Sequence, residues 1–574
     1  MSHVVNPFLR RIWIVVSVAA LALGGLVFAG ANDSAVAKAA KSGDLAAVRK
    51  LITAKADVNV ADNDGSTALL WAAYASDMEM TRALIAAGAK PDKANQYGVT
   101  PLLQASRTGD AAIMDVLLKA GADPSLAHSE GETPLMAASR SGHVDAVRLL
   151  LARKVDVNAT DKFQEETALM WAAAEGHTDV VSALLDAGAD PNRKAHINPL
   201  TDRKNADHPT GGFTALMWAA RNGEEDVVKR LVKGGADMTL KNGDGATATM
   251  IAIYNDRFDM AATLIGLGSD VNDGSLYTAV EMRDSTTDQF AYDGSRLRPA
   301  HPNKLTALNL IQLLLEKGAD PHKVFTGQFH STSMPNSDRF DNSAFFRAAV
   351  ASDVEALKVL VPYVKDLDKM PAGVAPPLPE PDGADVVAAG PRGRGNPNAG
   401  RTATMVTMTG GRGPQMTGGP GYIRDGAVPY REPGSRKPVD AFAVLIKAGA
   451  NPNIKGPDGS TLLHQVAAAR NLEMIRTLAD AHVDFNATNK DGLTALDVAE
   501  GKLPPGAPAR GAAPARGGAP PAVGGGRGRG GPAGPTNQDV AKLLRELMGL
   551  PPAPPAAPAL PAASPATAPA EGAQ

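Results

Sequence analysis

The sequence predicts an all-α repeat solenoid. Eleven times a hydroxyl residue followed by small and apolar residues restarts one phrase, at Ser34, Thr67, Thr100, Thr133, Thr167, Thr214, Thr247, Ser275, Ser343, Thr461 and Thr494. Five of the ten intervals between them are 33 residues and a sixth is 34, the kind of period at which one supersecondary unit stacks on the next. The helical stretch after each start is seven or eight residues long, too short to persist alone in water, so the units have to stack. A solenoid offers a binding surface rather than a catalytic pocket, and the class of function implied is recognition of a macromolecular partner.

The first element stands apart from the repeats. Arg10 and Arg11 precede an uncharged run from Ile12 to Phe28 that ends in Ala29-Gly30-Ala31, the small-x-small pattern of a signal-peptidase site. Residues 1–31 therefore read as a signal peptide, with a mature protein beginning at Asn32 that is exported and periplasmic. The alternative is an uncleaved membrane anchor over residues 12–31, which is long enough to cross a bilayer. The paired arginines lack the flanking residues of a twin-arginine signal.

One repeat shows how each unit is built. Tyr97 and Gly98 make a turn, Thr100 is placed as a helix N-cap and Pro101 as the first helical residue, where a missing N–H costs nothing. A short inner helix runs to about Arg107 and breaks at Thr108-Gly109-Asp110. The outer helix AAIMDVLLKA follows, with Ile113, Val116, Leu117 and Ala120 as its expected apolar stripe. Gly121 ends it in the left-handed conformation, and Gly88, Gly188, Gly235, Gly268, Gly318 and Gly449 recur in that place. Three repeats carry Lys55, Lys154 and His482 there instead.

These strings resemble the ankyrin repeat family. TPLLQAS, TPLMAAS, TALLWAA and TALMWAA, the last occurring twice, are similar to that family's inner-helix phrase. GADPN at 188–192, GANPN at 449–453 and VDVNA at 155–159 are similar to its hairpin entry. The resemblance spans most of residues 34–500. It implies helix-turn-helix units joined by β-hairpin-like loops, a concave face of loop tips and inner helices, and protein binding. The family's usual inner-helix histidine is replaced by Leu70, Leu103, Met136, Met170, Met217 and Met250 and kept only at His464, so weaker hydrogen bonding between loops is expected.

The array, residues 32–365, is interrupted near 193–212, where the Thr167 to Thr214 spacing is 47, and again near 283–303 and 324–341. Residues 366–437 form a Pro/Gly-rich insertion expected to be disordered. Within it TATMVT (402–407) is similar to TATMIA (247–252), and an outer-helix pattern follows at 440, so a twelfth, split repeat is open there. Repeats resume over 438–502. Residues 503–536 are a Gly/Pro/Arg low-complexity insertion, 537–550 an amphipathic closing helix and 551–574 a Pro/Ala-rich tail.

The chain has no cysteine, which excludes disulfides, thiolate metal sites and covalent haem attachment. Its formal net charge of −3 becomes 56 − 61 = −5 once Arg10 and Arg11 are removed, against a generally polyanion-binding surface. Gly526, Gly528 and Gly531 spell G-x-G-x-x-G with no strand before and no helix after, which is low complexity. Asp62-Asn63-Asp64-Gly65 lacks a calcium loop's first and closing ligands and reads as a hairpin turn. His143 and His177 sit in the Gly-His phrase between helices, where packing is favoured over ligation. No HExxH, G-x-S-x-G or Walker motif occurs, and neither enzymatic activity nor a cofactor or metal is expected.

Two features invite a functional reading. Trp71, Trp171 and Trp218 share one repeat position, and packing beside Ala72, Ala172 and Ala219 is favoured over a recognition ridge. Arg392, Arg394, Arg401 and Arg412, with Arg510, Arg516, Arg527 and Arg529, would suit an envelope scaffold holding anionic polymers or nucleic acid; few aromatics accompany them, and a flexible linker is favoured. The principal expectation is a protein or peptide partner on the concave face of the uninterrupted repeats from Thr67 to Thr167. Its expected contacts lie among loop tips Asn63, Gln96, Tyr97, Ser129, Phe163 and Gln164 and inner-helix ends Tyr74, Arg107 and Arg140, with Tyr74, Tyr97, Arg107, Arg140 and Phe163 leading because aromatics and arginine dominate binding energy. Nucleic acid is not an expected partner, and the membrane is one only if residues 1–31 stay attached.

Overall fold

The six start residues from Thr67 to Thr247 cap as the sequence requires, whereas Ser275 departs from the pattern, being the first residue of its helix Ser275–Asp284 rather than its cap. The Thr67, Thr100, Thr133, Thr167, Thr214 and Thr247 hydroxyls accept from the amide three residues on, at 3.1–3.3 Å, satisfying an N–H that the first helical turn leaves unpaired. That amide belongs to the leucine or methionine that replaces the expected histidine. At Thr133 the replacement also takes over part of its role, because the Met136 sulfur accepts from the Thr133 amide at 3.5 Å.

The computed structural model describes residues 35–198, 210–243, 245–284, 303–325, 342–369, 402–408, 434–502 and 535–552. The expected signal peptide, the start at Ser34, the expected tail beyond 552 and most of the insertions expected near 193–212, 283–303, 324–341, 366–437 and 503–536 lie outside these residues.

Two units separate: one holds the described residues up to 366 together with 434–436, the other 367–369, 402–408 and the described residues from 437 on. In the first unit, inner and outer helices alternate from Ala35–Lys41 and Leu45–Thr53 to Ala344–Val350 and Val354–Leu360. Each inner helix packs on its own outer helix and on the inner helices before and after it. Strand pairs Ile197–Asn198 with Thr210–Gly211, and Val324–Phe325 with Asn342–Ser343, close the bases of two of the expected insertions.

In the second unit Ala403–Met408 packs on Pro438–Lys447, the inner and outer helices of a split repeat. The Thr402 hydroxyl caps Ala403–Met408 by accepting from the Met405 amide. Helix Asn537–Leu547 lies against Ala495–Ala499 and buries Val540, Ala541, Leu543 and Leu544, the place of an outer helix.

Two expectations are corrected. The outer helix Ala111–Lys119 buries Ile113, Met114, Leu117 and Leu118, while Val116 and Ala120 are half-buried. The helix is gripped on two sides, by its inner helix and by the neighbouring outer helices, which rotates the buried stripe towards Met114 and Leu118. Bonding between loops is also not generally weak. His464 keeps its bond to the Leu493 carbonyl, at 2.9 Å. Elsewhere the asparagine of the hairpin entry supplies the link: Asn59, Asn158, Asn192, Asn272 and Asn453 each accept the amide of a residue in the following loop at 2.7–2.8 Å.

Helix ends follow the expected pattern. Gly88, Gly121, Gly188, Gly235, Gly268, Gly318 and Gly449 have φ between 85° and 102°, and nothing lies within 4 Å of a Cβ added to any of them. Lys55, Lys154 and His482 take the same left-handed turn at φ 57° to 60°.

Candidate functional site

The loops of the uninterrupted repeats project as fingers held backbone to backbone. The Gln96 amide donates to the Asp64 carbonyl at 3.0 Å, Lys162 to Glu130 at 2.8 Å and His196 to Gln164 at 2.6 Å. The approach is close enough to demand glycine: a Cβ on Gly98, at φ 81°, would lie 2.9 Å from the Ser129 amide nitrogen.

One finger departs from the pattern. Thr133 and Thr167 are 34 residues apart, and the extra residue lies in the tip Asp161–Glu166. Glu165, at φ 54°, stands where Gly65, Gly98 and Gly131 stand in the preceding fingers. The buried Asp161 carboxylate holds this longer turn, accepting the Phe163, Gln164 and Glu166 amides at 2.7–3.2 Å. Phe163 is left 77% exposed at the tip, beside a shallow depression that it lines with Ser129, Glu130 and Lys162. Tyr97, two fingers earlier, is 53% exposed.

The inner-helix ends are more engaged than solvated tips would be. Tyr74 is half-buried with its ring edge-on to Trp71, centroids 5.8 Å apart. Arg107 forms an ion pair with the mostly buried Glu132. The Arg140 guanidinium lies over the Trp171 ring, 5.0 Å from its centroid. Their backbones form a seam: the Ser141 hydroxyl donates to the Arg107 carbonyl at 3.1 Å, and His177 Nε2 lies 3.0 Å from the Arg140 carbonyl. Of the five leading residues, Tyr97 and Phe163 are therefore exposed, while Tyr74, Arg107 and Arg140 are engaged within the stack.

The tryptophans pack, and each also carries a cation. Trp71 is buried and donates its indole N–H to Asp62 Oδ2 at 2.8 Å, while Trp171 and Trp218 are half-buried. Lys41 lies 4.5 Å from the Trp71 centroid and Arg221 5.3 Å from that of Trp218. Lys41 and Arg221 were not among the expected contacts. The signal was present in the register: seven residues after successive starts come Lys41, Tyr74, Arg107, Arg140, Ala174, Arg221 and Tyr254. Burial, and the hydrogen bond with Asp64, push the Asp62 carboxyl up to about 6 against the lowering pull of the Trp71 N–H.

His143 and His177 have structural roles. The added Cβ of Gly109 would sit 1.9 Å from the His143 ring and that of Gly142 2.6 Å from the His177 ring, so each histidine fills the space over the previous repeat's glycine. Among the described residues no cluster of metal-ligating side chains forms, and no helix is long and apolar enough to cross a membrane.

The family model of ankyrin repeats in three copies matches residues 36–128, 121–195 and 197–275, and that of ankyrin repeats in many copies matches 445–499, together about half of the 574 residues. The chain belongs to the ankyrin repeat family. Among solved structures, the human ASB11 ankyrin repeat domain is 26% identical over 42% of this chain and 99% of its own, with a TM-score of 0.36. No curated protein matches the chain. Ankyrin repeats generally serve as protein–protein interaction modules and are typically non-enzymatic.

Proposed function

We propose that the protein binds a protein or peptide partner along the concave face of its first unit, between the fingers and the inner-helix ends of the repeats from Thr67 to Gly188, and performs no chemistry. The observation that supports this is that large apolar side chains are left in water on four successive loops: Tyr97 at 53% and Phe163 at 77% exposed at the tips, and Val60 at 43% and Leu126 at 36%, each seven residues before the next start. Phe163 adds a second argument. Its finger has an extra residue, and the buried Asp161 carboxylate that holds the longer turn leaves the ring in solvent.

A photo-crosslinking residue at position 163, used in the native compartment, identifies the partner. Affinity for that partner should then fall at least about tenfold, about 1.4 kcal/mol, in the variant Tyr97→Ala/Phe163→Ala, with an unchanged melting curve because neither ring is in the core. Deleting residues 503–536 should leave affinity unchanged. Normal binding by the double variant, with binding abolished by the deletion, would move recognition to the Arg/Gly-rich insertion. The reading includes export to the periplasm, from the charge-then-apolar start and Ala29-Gly30-Ala31. N-terminal sequencing should find Asn32 first; an intact chain in the soluble cytoplasm would refute export, and one in the membrane fraction would favour the anchor.

A further inference from the structure

The column of residues seven after each start is charged in one sense only. From Lys41 to Tyr254 it holds Lys41, Arg107, Arg140 and Arg221, two tyrosines and an alanine, and no acid. Three of the four cations lie over an indole ring, at 4.5, 5.0 and 5.3 Å from the centroids. A cation held over one face of a ring keeps N–H groups on its far side, available to a carboxylate. It also holds a long side chain extended before any partner arrives, which lowers the entropy lost on binding.

Arg107 shows what an internally neutralised member of the column looks like: its guanidinium pairs with Glu132, whose side chain is 14% exposed. Arg140 differs. Among the described residues it makes no ion pair, and the indole beneath it has its own N–H buried without a hydrogen-bond partner. Lys41 is exposed, and its field reaches Asp64, so Arg140 is the main seat and Lys41 a secondary one.

We propose that this column selects an acidic segment of a protein partner, with carboxylates seated on Arg140 and Lys41; the proposal rests on the concave-face reading above. Charge complementarity also says what the occupant is not. The finger tips carry Asp62, Asp64, Glu130 and Glu165 against one lysine, Lys162. A polynucleotide is negative along its whole length and would be repelled there, whereas a protein segment can present acids to one edge and neutral or apolar groups to the other. The chain's own Arg-rich insertions carry the wrong sign.

The test uses the full chain and three labelled probes: a short Asp/Glu-rich peptide containing phenylalanine, its Asn/Gln isostere, and an oligothymidylate. The acidic peptide should bind at least about tenfold more tightly than the isostere, and more weakly as salt rises. Arg140→Gln should weaken the acidic peptide about fivefold or more and leave the isostere unchanged, in line with loss of one charge-assisted contact. Lys41→Gln, at an exposed position where folding is not in question, should do the same to a smaller degree. Arg527→Gln/Arg529→Gln, which removes charge from the 503–536 insertion, should have no effect. The proposal is overturned by equal binding of the two peptides, by no binding of the acidic one, by tighter binding of the oligothymidylate, or by an insertion variant that weakens binding as Arg140→Gln does. Isostere binding that disappears in Phe163→Ala would then preserve the concave-face reading while removing the acidic preference.

Discussion

The repeats from Thr67 to Gly188 and the stretch from Ser275 to Leu360 use the same helical layers but hold them together differently. In the first, the inner helices bury leucine, methionine, alanine and tryptophan, and no charged side chain is buried in them. In the second, Glu281, Arg283, Arg347 and Asp353 are each at most 4% exposed. Arg283 meets Asp353 through two contacts, Nε at 2.7 Å and Nη2 at 3.1 Å, and Arg347 pairs with Glu281. Arg436 Nη1 adds a third contact to Asp353, at 3.0 Å. An apolar layer accepts any neighbour with the same apolar layer. A buried charge accepts only its counter-charge, because leaving it alone costs several kcal/mol. Charge pairing therefore appears where the repeat phrase is degraded and the Ser275 helix is separated in sequence from its outer helix Ala307–Glu316.

The sharpest way to break this contrast is to remove equivalent caps. Asp353 and Asp77 both cap an outer helix, accepting from Ala356 at 3.1 Å and from Met80 at 2.9 Å. Asp77→Ala should cost about 1 kcal/mol, the worth of a cap. Asp353→Ala also strands buried arginine and should cost about 3–5 kcal/mol. Equal losses in denaturant unfolding would show that the buried pairs are not what distinguishes the two stretches.

Next in size come the glycines of the apolar stretch. Gly121→Ala meets only the left-handed backbone cost, about 1 kcal/mol. Gly109→Ala must in addition displace the His143 ring, for a total of roughly 2–4 kcal/mol. The converse change, Lys154→Gly, should raise unfolding stability by roughly 1 kcal/mol, since Lys154 already sits at φ 58°. A loss of stability there would mean the lysine side chain contributes more than its backbone costs.

The smallest effect is a titration. Asp62 is pushed up to about 6 while the Asp64 carboxyl is lowered, so the two titrate as a pair that keeps one proton well above the ordinary carboxylate range. A carboxyl with a raised folded-state pKa contributes stability that is fully present below about pH 4 and is lost as pH rises through about 6. Trp71 fluorescence should follow that midpoint through its bond to Asp62, and Asp62→Asn should abolish the titration.

Much of the fold is legible because its signals are local. A threonine hydroxyl can cap only the helix that begins beside it, and a glycine at a helix end is decided by its own φ, so the starts at Thr67 to Thr494 and the ends from Gly88 to Gly449 could be read directly. The candidate contacts were legible by type and less so by state. Tyr97 and Phe163 are exposed tips, but the partners of Arg107 and Arg140, Glu132 and Trp171, lie 25 and 31 residues further on and are reached only across a repeat boundary.

The sequence by itself determined the period, the caps, the helix ends and the positions where the array is interrupted, because each depends on residues within one turn of chain. The tertiary structure alone decided which faces are shared between repeats. It rotated the outer-helix stripe from Val116 to Met114 and Leu118 and moved the bonds between loops onto the hairpin asparagines. It also brought Arg283 to Asp353 across 70 residues and laid Lys41, Arg140 and Arg221 over indole rings. Contacts of that kind form between side chains that no local rule relates, so they exist only once the repeats have stacked.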